Sequence, residues 1–289
     1  GGDTDKISIY GQEIKESTLQ ISKMNLYLRG LDGNIKQGDS ILNDQHKGLE
    51  ADYVITNPPF NMSEWGQDSI ADDDPRFKYG IPPSNNANYA FIQHMIHHLD
   101  DTGMAATVMA NGAMSVQTNG AEIRKGIVEN DLLDAVIALP DDLFYTTGIP
   151  ACIFVLSMGK AKDEYRDRSG ETLFIDASSL YESVTRSQNN LSNDHIDKIA
   201  NTVRSYRGET DAKEYENKKG FSKVSDIHEI ANNRYIITPS RYVGVKEDSE
   251  QEEQFEKKMQ RISAEIREDF QKSNELQEAI EKSLREVGF

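Results

Sequence analysis

Between Ile7 and Met158 short apolar runs alternate with longer stretches whose apolar residues recur every three or four positions, and few folds accept that alternation. Ile7 to Tyr10, Tyr53 to Thr56, Met104 to Met109, Leu133 to Leu139 and Pro150 to Met158 read as strands, and a brief strand leads into Gly38-Asp39. Helices are predicted from about Lys15 to Arg29, from Asn88 to Leu99 and near Glu122 to Glu129. In the first of these, Leu19, Ser22 and Leu26 form one line, Ile21, Met24 and Leu28 another, and Gly30 is placed to end it. Strands that alternate with helices build a mostly parallel sheet with helices on both faces, and ligands sit at the carboxyl ends of its strands.

The rest of the chain departs from this rhythm. Residues 61–88 form a long loop with little periodicity, of the kind that is functional or disordered; Arg76 and Lys78 within it are candidates for phosphate contact or plain surface charges. Residues 187–221 are polar, with one helix predicted from Asp194 to Tyr206. From about Ser249 to Val287 a charged stretch carries Phe255, Met259, Ile262, Ile266 and Phe270, then Leu276, Ile280, Leu284 and Val287, at helical steps. Such a narrow stripe suits a docking helix or one folded back on its own domain. The expected organisation is a main α/β domain over residues 1–180, a polar connecting region over 181–248, and a long terminal helix over 249–289.

Charge restricts the partners. The chain carries a net −17, and residues 1–160 hold 22 acidic against 11 basic side chains. Phosphate contacts need Lys and Arg, so either nucleic acid is not the substrate or a partner supplies most of the grip. The single cysteine, Cys152, lies in an apolar run and reads as a buried inert thiol. No run approaches the ~20 apolar residues of a membrane span, and a soluble cytoplasmic protein without membrane contact is expected.

The strand Val54-Ile55-Thr56 runs straight into Asn57-Pro58-Pro59-Phe60. An amino group conjugated to a base ring is a poor nucleophile until its geometry is pulled toward tetrahedral. The side-chain oxygen of Asn57 and the carbonyl of Pro58 can each accept one of its hydrogens, which localises the lone pair and aims it. Consecutive prolines hold φ, so the carbonyls stay in place without ladder bonds. Phe60 offers a face for the base, and such stacking is worth about 1–3 kcal/mol. A base inside a duplex must be flipped out to reach such a pocket. Asn-Pro also opens ordinary turns, and a turn closing the strand is the competing reading.

Asn57-Pro58-Pro59-Phe60 resembles the amino-methyltransferase signature, and its neighbours narrow the resemblance. Tyr10-Gly11-Gln12-Glu13, Gly38-Asp39, Asp74-Pro75-Arg76-Phe77-Lys78-Tyr79-Gly80, Ala90-Phe91-Ile92-Gln93-His94-Met95 and Ile137-Ala138-Leu139-Pro140 together resemble the modification subunit of bacterial type I restriction-modification systems. The resemblance implies a Rossmann-like S-adenosylmethionine-dependent methyltransferase fold acting on adenine N6 in DNA. It assigns Asn57, Pro58 and Phe60 to catalysis, and Glu13, Asp39, Ser40, Ile41 and Asn57 to the cofactor. Glu13 would accept from ribose hydroxyls and Asp39 from the adenine amino group, with Ser40 and Ile41 flanking that ring. Pro59, Phe60, Phe144 and Tyr145 would contact the target base, the last two from the opposite wall. Implied partners are DNA, a specificity subunit contacted by the C-terminal helix, and a second modification subunit; a restriction nuclease subunit stays open.

Two departures from the family pattern bear on this. No glycine-rich loop after an earlier strand is present, so the chain is expected to be a fragment that starts beyond that motif, without the family's N-terminal helical domain and with either a gap in the sheet or a compensating pairing there. Asn88 stands where the family often has an acid. His94, His97 and His98 share a helix without a third ligand at recognised spacing, so no metal site is expected. Two other functions fit parts of the pattern: methylation of protein glutamine amides, and a non-catalytic module that docks a specificity subunit.

Overall fold

The computed structural model describes residues 7–145, 147–161, 165–185 and 188–245, together with Met259, Ser263, Arg267 and Ser273, which are helical. The other residues of the expected terminal docking helix lie outside the described residues. The chain divides into two units, Gly1–Val245 and Lys246–Phe289, and the first holds everything that follows.

That unit begins with strand β1 (Ile9–Glu13), helix α1 (Glu16–Leu28) and strand β2 (Gly33–Gln37). β1 and β2 pair in parallel as a sheet of their own. Next come β3 (Ala51–Thr56), α2 (Asn88–His97), β4 (Leu99–Ala110), α3 (Asn119–Glu129), β5 (Leu133–Ala138), β6 (Ala151–Ser157) and β7 (Glu171–Asp176). A hairpin of β8 (Glu182–Thr185) and β9 (Gln188–Asn190), then α4 (Asn193–Arg207), β10 (Ser222–Asp226), α5 (Ile227–Asn232) and α6 (Ser240–Val243) complete it.

The main sheet has six strands in the order β10-β7-β5-β6-β4-β3. β3 and β4, and likewise β5 and β7, pair in parallel. β6 runs against both β4 and β5, and β10 runs against β7. The expectation of a mostly parallel sheet therefore holds for four of the six strands. The reversal of β6 has a local cause: among the described residues no helix lies between Ala138 and Ala151, and without a crossover a chain can re-enter beside its own strand only by turning back.

Alternation along the strands sorts the core into two layers. Val136 and Phe174 point into a cluster with Ile92, Met95, Ile123 and Ile127 from α2 and α3 and with Ile230 and Tyr242 from α5 and α6. Ala135, Ile137, Leu173 and Ile175 point the other way, onto Tyr206 of α4 and Phe221. Helices thus cover both faces. Of the region read from the sequence as a connection over 181–248, residues 181–245 supply an edge strand and a share of the core to this same body. β7, β10 and the hairpin are strands that the sequence pattern did not single out.

The two sheets are not joined. Among the described residues, the edge of β1 away from β2 and the edge of β3 away from β4 have no strand partner. Tyr53 and Ile55 of β3 are 75% and 85% exposed, far more than a central strand permits. In α1 the Leu19, Ser22, Leu26 line faces inward, whereas Ile21, Met24 and Leu28 are exposed. Of the two outcomes weighed from the sequence, a gap or a compensating pairing, the described residues show no compensating strand at these two edges.

Candidate active site

A cleft of about 490 Å³ lies where the two sheets part. Gly11 to Ile14 from β1 and the turn after it, Gly38 to Ser40 after β2, and Ala51 and Tyr53 to Pro59 from β3 and beyond line it, with Phe91, His94, Met95 and His98 from α2 and its end. Its size suits a cofactor-sized ligand, and its wall includes the carboxyl ends of β1 and β3 and the turn after β2, where an α/β fold presents its ligands.

Asn57 leaves the end of β3 exposed, on the cleft wall, while Pro58 beside it is buried. The turn that follows is held by a residue whose role the sequence did not reveal. Asn88, 2% exposed at the start of α2, accepts the Asn61 amide through Oδ1 at 3.0 Å and donates to Asn61 Oδ1 through Nδ2 at 3.0 Å. Asn86 donates to the same Asn61 oxygen at 3.1 Å. Asn61 sits at φ 53°, a left-handed conformation in which asparagine is among the tolerated residues. Asn88 was legible only as a departure from the family pattern.

Glu13 ends β1, and its Oε1 accepts the Lys15 amide at 2.9 Å. Asp39 Oδ1 accepts the Ile41 and Leu42 amides at 2.8 and 2.9 Å. In both, the second carboxylate oxygen has no hydrogen-bond partner among the described residues, and both groups border the cleft beside Ser40. Ile41 departs from its expected place beside the cofactor ring. The turn capped by Asp39 directs it inward, where it is 1% exposed among Trp65, Phe77, Ala87 and Ala90.

Phe60 and Phe144 are far apart in sequence, yet their rings meet edge to face with centroids 6.0 Å apart. Both are half-buried against the α4 layer. Tyr145 is 94% exposed, and Pro59 is exposed. The β8–β9 hairpin braces the Phe144 loop: Gln188 Nε2 donates to the carbonyls of Asp142 and Leu143 at 3.3 and 3.2 Å, and the Asn189 amide to Asp142 at 2.9 Å.

The segment 61–88 is ordered by its own contacts. Arg76 pairs with Asp74 at 2.6 Å and donates to the Ile41 carbonyl at 2.7 Å, so it ties this loop to the one after β2. The hydrogen-bonded guanidinium holds the Asp74 carboxyl below its usual range despite partial burial. That guanidinium is spent on structure, whereas Lys78 is exposed.

At the floor of the cleft, Asp44 Oδ2 lies 3.1 Å from His98 Nε2. Burial opposes ionisation of Asp44, but the His46 amide and the nearby histidines outweigh it and hold the carboxyl below its usual range. Burial depresses His94 to about 4, so this ring is neutral near pH 7. Cys152 is fully buried and its thiol is pushed up to about 12 by desolvation, in line with an inert thiol.

A family model described as N-6 DNA methylase matches residues 1–251. The chain is similar to the type I restriction enzyme HindI methylase subunit of Haemophilus influenzae, at 41% identity over all of this chain and 63% of that protein. It is similar to the MjaIX methylase subunit of Methanocaldococcus jannaschii at 40% identity over all of this chain and 52% of that protein. It therefore spans about half to two thirds of the length of these relatives. Among solved structures, the methyltransferase subunit of a type I restriction-modification system from Streptococcus thermophilus superposes with a TM-score of 0.72 at 27% identity, covering 85% of this chain and 56% of that one.

Proposed function

Since the chain belongs to the N-6 DNA methylase family, we propose that it is the catalytic part of a type I modification subunit that methylates N6 of a flipped-out adenine in DNA. One observation carries this reading. Asn57 stands exposed at the end of β3 on the wall of a cleft that also presents the carboxylates of Glu13 and Asp39.

The residues divide the work. The Asn57 side-chain oxygen and the Pro58 carbonyl accept the two hydrogens of the adenine amino group and draw its lone pair out of the ring. Phe60 stacks the base, with Phe144 as its neighbour across the edge contact, and Pro59, on the cleft wall, and the exposed Tyr145 also contact the base in this reading. Glu13 and Asp39 each keep one carboxylate oxygen for hydroxyl and amino donors, as a nucleoside requires. S-adenosylmethionine, when bound in this cleft, supplies an electrophilic methyl group on a sulfonium. The residues present fit its nucleoside end. A further parallel strand seated between β1 and β3 would join the two sheets and bring a backbone turn to the remainder of the cofactor, which is the part a glycine-rich loop serves.

The net charge of −17 leaves most of the phosphate grip to partners: a specificity subunit, a second modification subunit, and a nuclease subunit in the restriction complex. A cytoplasmic setting follows from that role. In the full-length protein with its specificity partner, Asn57→Ala should lower methyl transfer to DNA by about 10²–10³-fold while thermal stability stays the same. Wild-type turnover in that variant, or methyl transfer to protein glutamine in place of DNA, would refute the proposal. Calorimetry of this chain with S-adenosylmethionine separately tests whether the described cleft binds cofactor unaided.

A further inference from the structure

Asp44, His94 and His98 come from two elements, the β2–β3 connection and α2 with its C-cap, and each offers a ligand atom within 4.8 Å of the others. Asp44 and His98 are buried, at 8% and 7% exposure. The sequence had lacked a third ligand for the histidines, and the fold supplies it.

Both ring nitrogens of His98 are turned to oxygen atoms: Nδ1 lies 3.0 Å from the Leu49 carbonyl and Nε2 lies 3.1 Å from Asp44 Oδ2. A metal ion at Nε2 takes the place that a proton otherwise fills in that second contact. His94 stands four residues earlier on the helix, its ring edge-on to that of His98 at 4.7 Å, and its Nδ1 is buried with no hydrogen-bond partner. Two histidines at i and i+4 project from one helix face, the spacing that helices use to grip zinc.

We propose that Asp44, His94 and His98 bind one divalent transition-metal ion of the zinc class, which pins the β2–β3 connection to α2. Zinc lies about 2.0–2.2 Å from imidazole nitrogen and carboxylate oxygen. With those lengths the observed 3.1 Å between His98 Nε2 and Asp44 Oδ2 subtends roughly 95° at the metal, so this pair needs little adjustment. The three ligand atoms lie within 4.8 Å of one another, and closing the set onto one ion of about 2.0–2.2 Å bond length brings His94 inward. The Leu49 carbonyl already orients the His98 ring from its far side, and the His46 amide orients Asp44 through Oδ1 at 2.9 Å, the outer bonds that metal ligands employ. All three residues line the cleft, which leaves a fourth position to water. The ion holds the wall to which Asp39 and Asn88 are attached; the assignment does not depend on methyl transfer.

The test uses the untagged chain, stripped with a chelator and dialysed. Zinc titration should show one equivalent bound per chain and a raised melting temperature, and cobalt(II) should give the visible absorption of a low-coordinate nitrogen and oxygen site. His94→Ala removes a ring whose buried nitrogen has no protein partner, so the fold should survive. It should weaken zinc by more than the ~10–100-fold that follows loss of a group merely supporting a ligand, and Asp44→Asn should do likewise. No stoichiometric uptake by the wild-type chain would overturn the proposal and leave His98 and Asp44 as a hydrogen-bonded pair. Uptake unchanged in His94→Ala would overturn it as well.

Discussion

Replacing Asn88 by alanine isolates the clamp on the signature turn. The change removes two hydrogen bonds to one residue, the accepted Asn61 amide and the donated bond to Asn61 Oδ1. The Oδ1 atom keeps its bond from Asn86, so the loss falls mainly on the amide. An unpaired buried donor costs about 1–3 kcal/mol and a replaceable bond about 0.5–1.5. Asn61 is itself exposed and water can reach it, so the low end applies and the sum is about 1–2 kcal/mol. For a body of this size that lowers the melting temperature by about 2–8 °C. Activity should suffer more than stability. Asn61 follows Phe60 directly, and a shift of about 1 Å in a positioned group costs on the order of 10²-fold in rate. In the full-length protein with its specificity partner, Asn88→Ala should lower kcat by about that factor, with a smaller change in KM for DNA. Asn88→Asp should restore most of the rate, because a carboxylate still accepts the Asn61 amide. A wild-type kcat in the alanine variant, or equal losses in the alanine and aspartate variants, would refute the clamp.

Three further outcomes follow from the geometry. Phe60→Ala should weaken DNA binding by the stacking energy of one base, about 1–3 kcal/mol, measured by titration with a duplex carrying a mismatched target adenine; affinity within twofold of wild type would remove Phe60 from the base pocket. Asp134→Ala removes the carboxylate bonded at 3.1 Å to the fully buried Arg168 guanidinium, and should destabilise the chain by about 3–5 kcal/mol in denaturant melts. A loss under 1 kcal/mol would mean that another group neutralises the arginine. Cys152 should resist an aromatic disulfide reagent at pH 8 in the native chain and react at once after unfolding; prompt native labelling would contradict its burial.

The amino-acid order alone determined the features that depend on neighbours along the chain. The β3 strand running into Asn57-Pro58-Pro59-Phe60, the α1 and α2 helices, and the placing of Glu13, Asp39 and Asn57 at strand ends all follow from periodicities of two and 3.6 and from what proline and glycine forbid. The reversal of β6 was not read from the sequence, although no helix pattern separates Ile137 from Pro150. β10 escaped because Ser222–Asp226 is short and mostly polar, so its strand state comes from pairing with β7; β7 carries the apolar run Leu173-Phe174-Ile175, a strand signal that the sequence reading passed over. Other facts belong to tertiary structure because they join residues that share no local pattern. Phe60 meets Phe144 across 84 positions, Asp44 meets His98 across 54, and Ile41 turns inward because Asp39 caps its turn. A sequence states which side chains are available; only the packing of two sheets and their helices decides which of them share a cleft, since that depends on apolar area buried between elements that the chain visits at widely separated points.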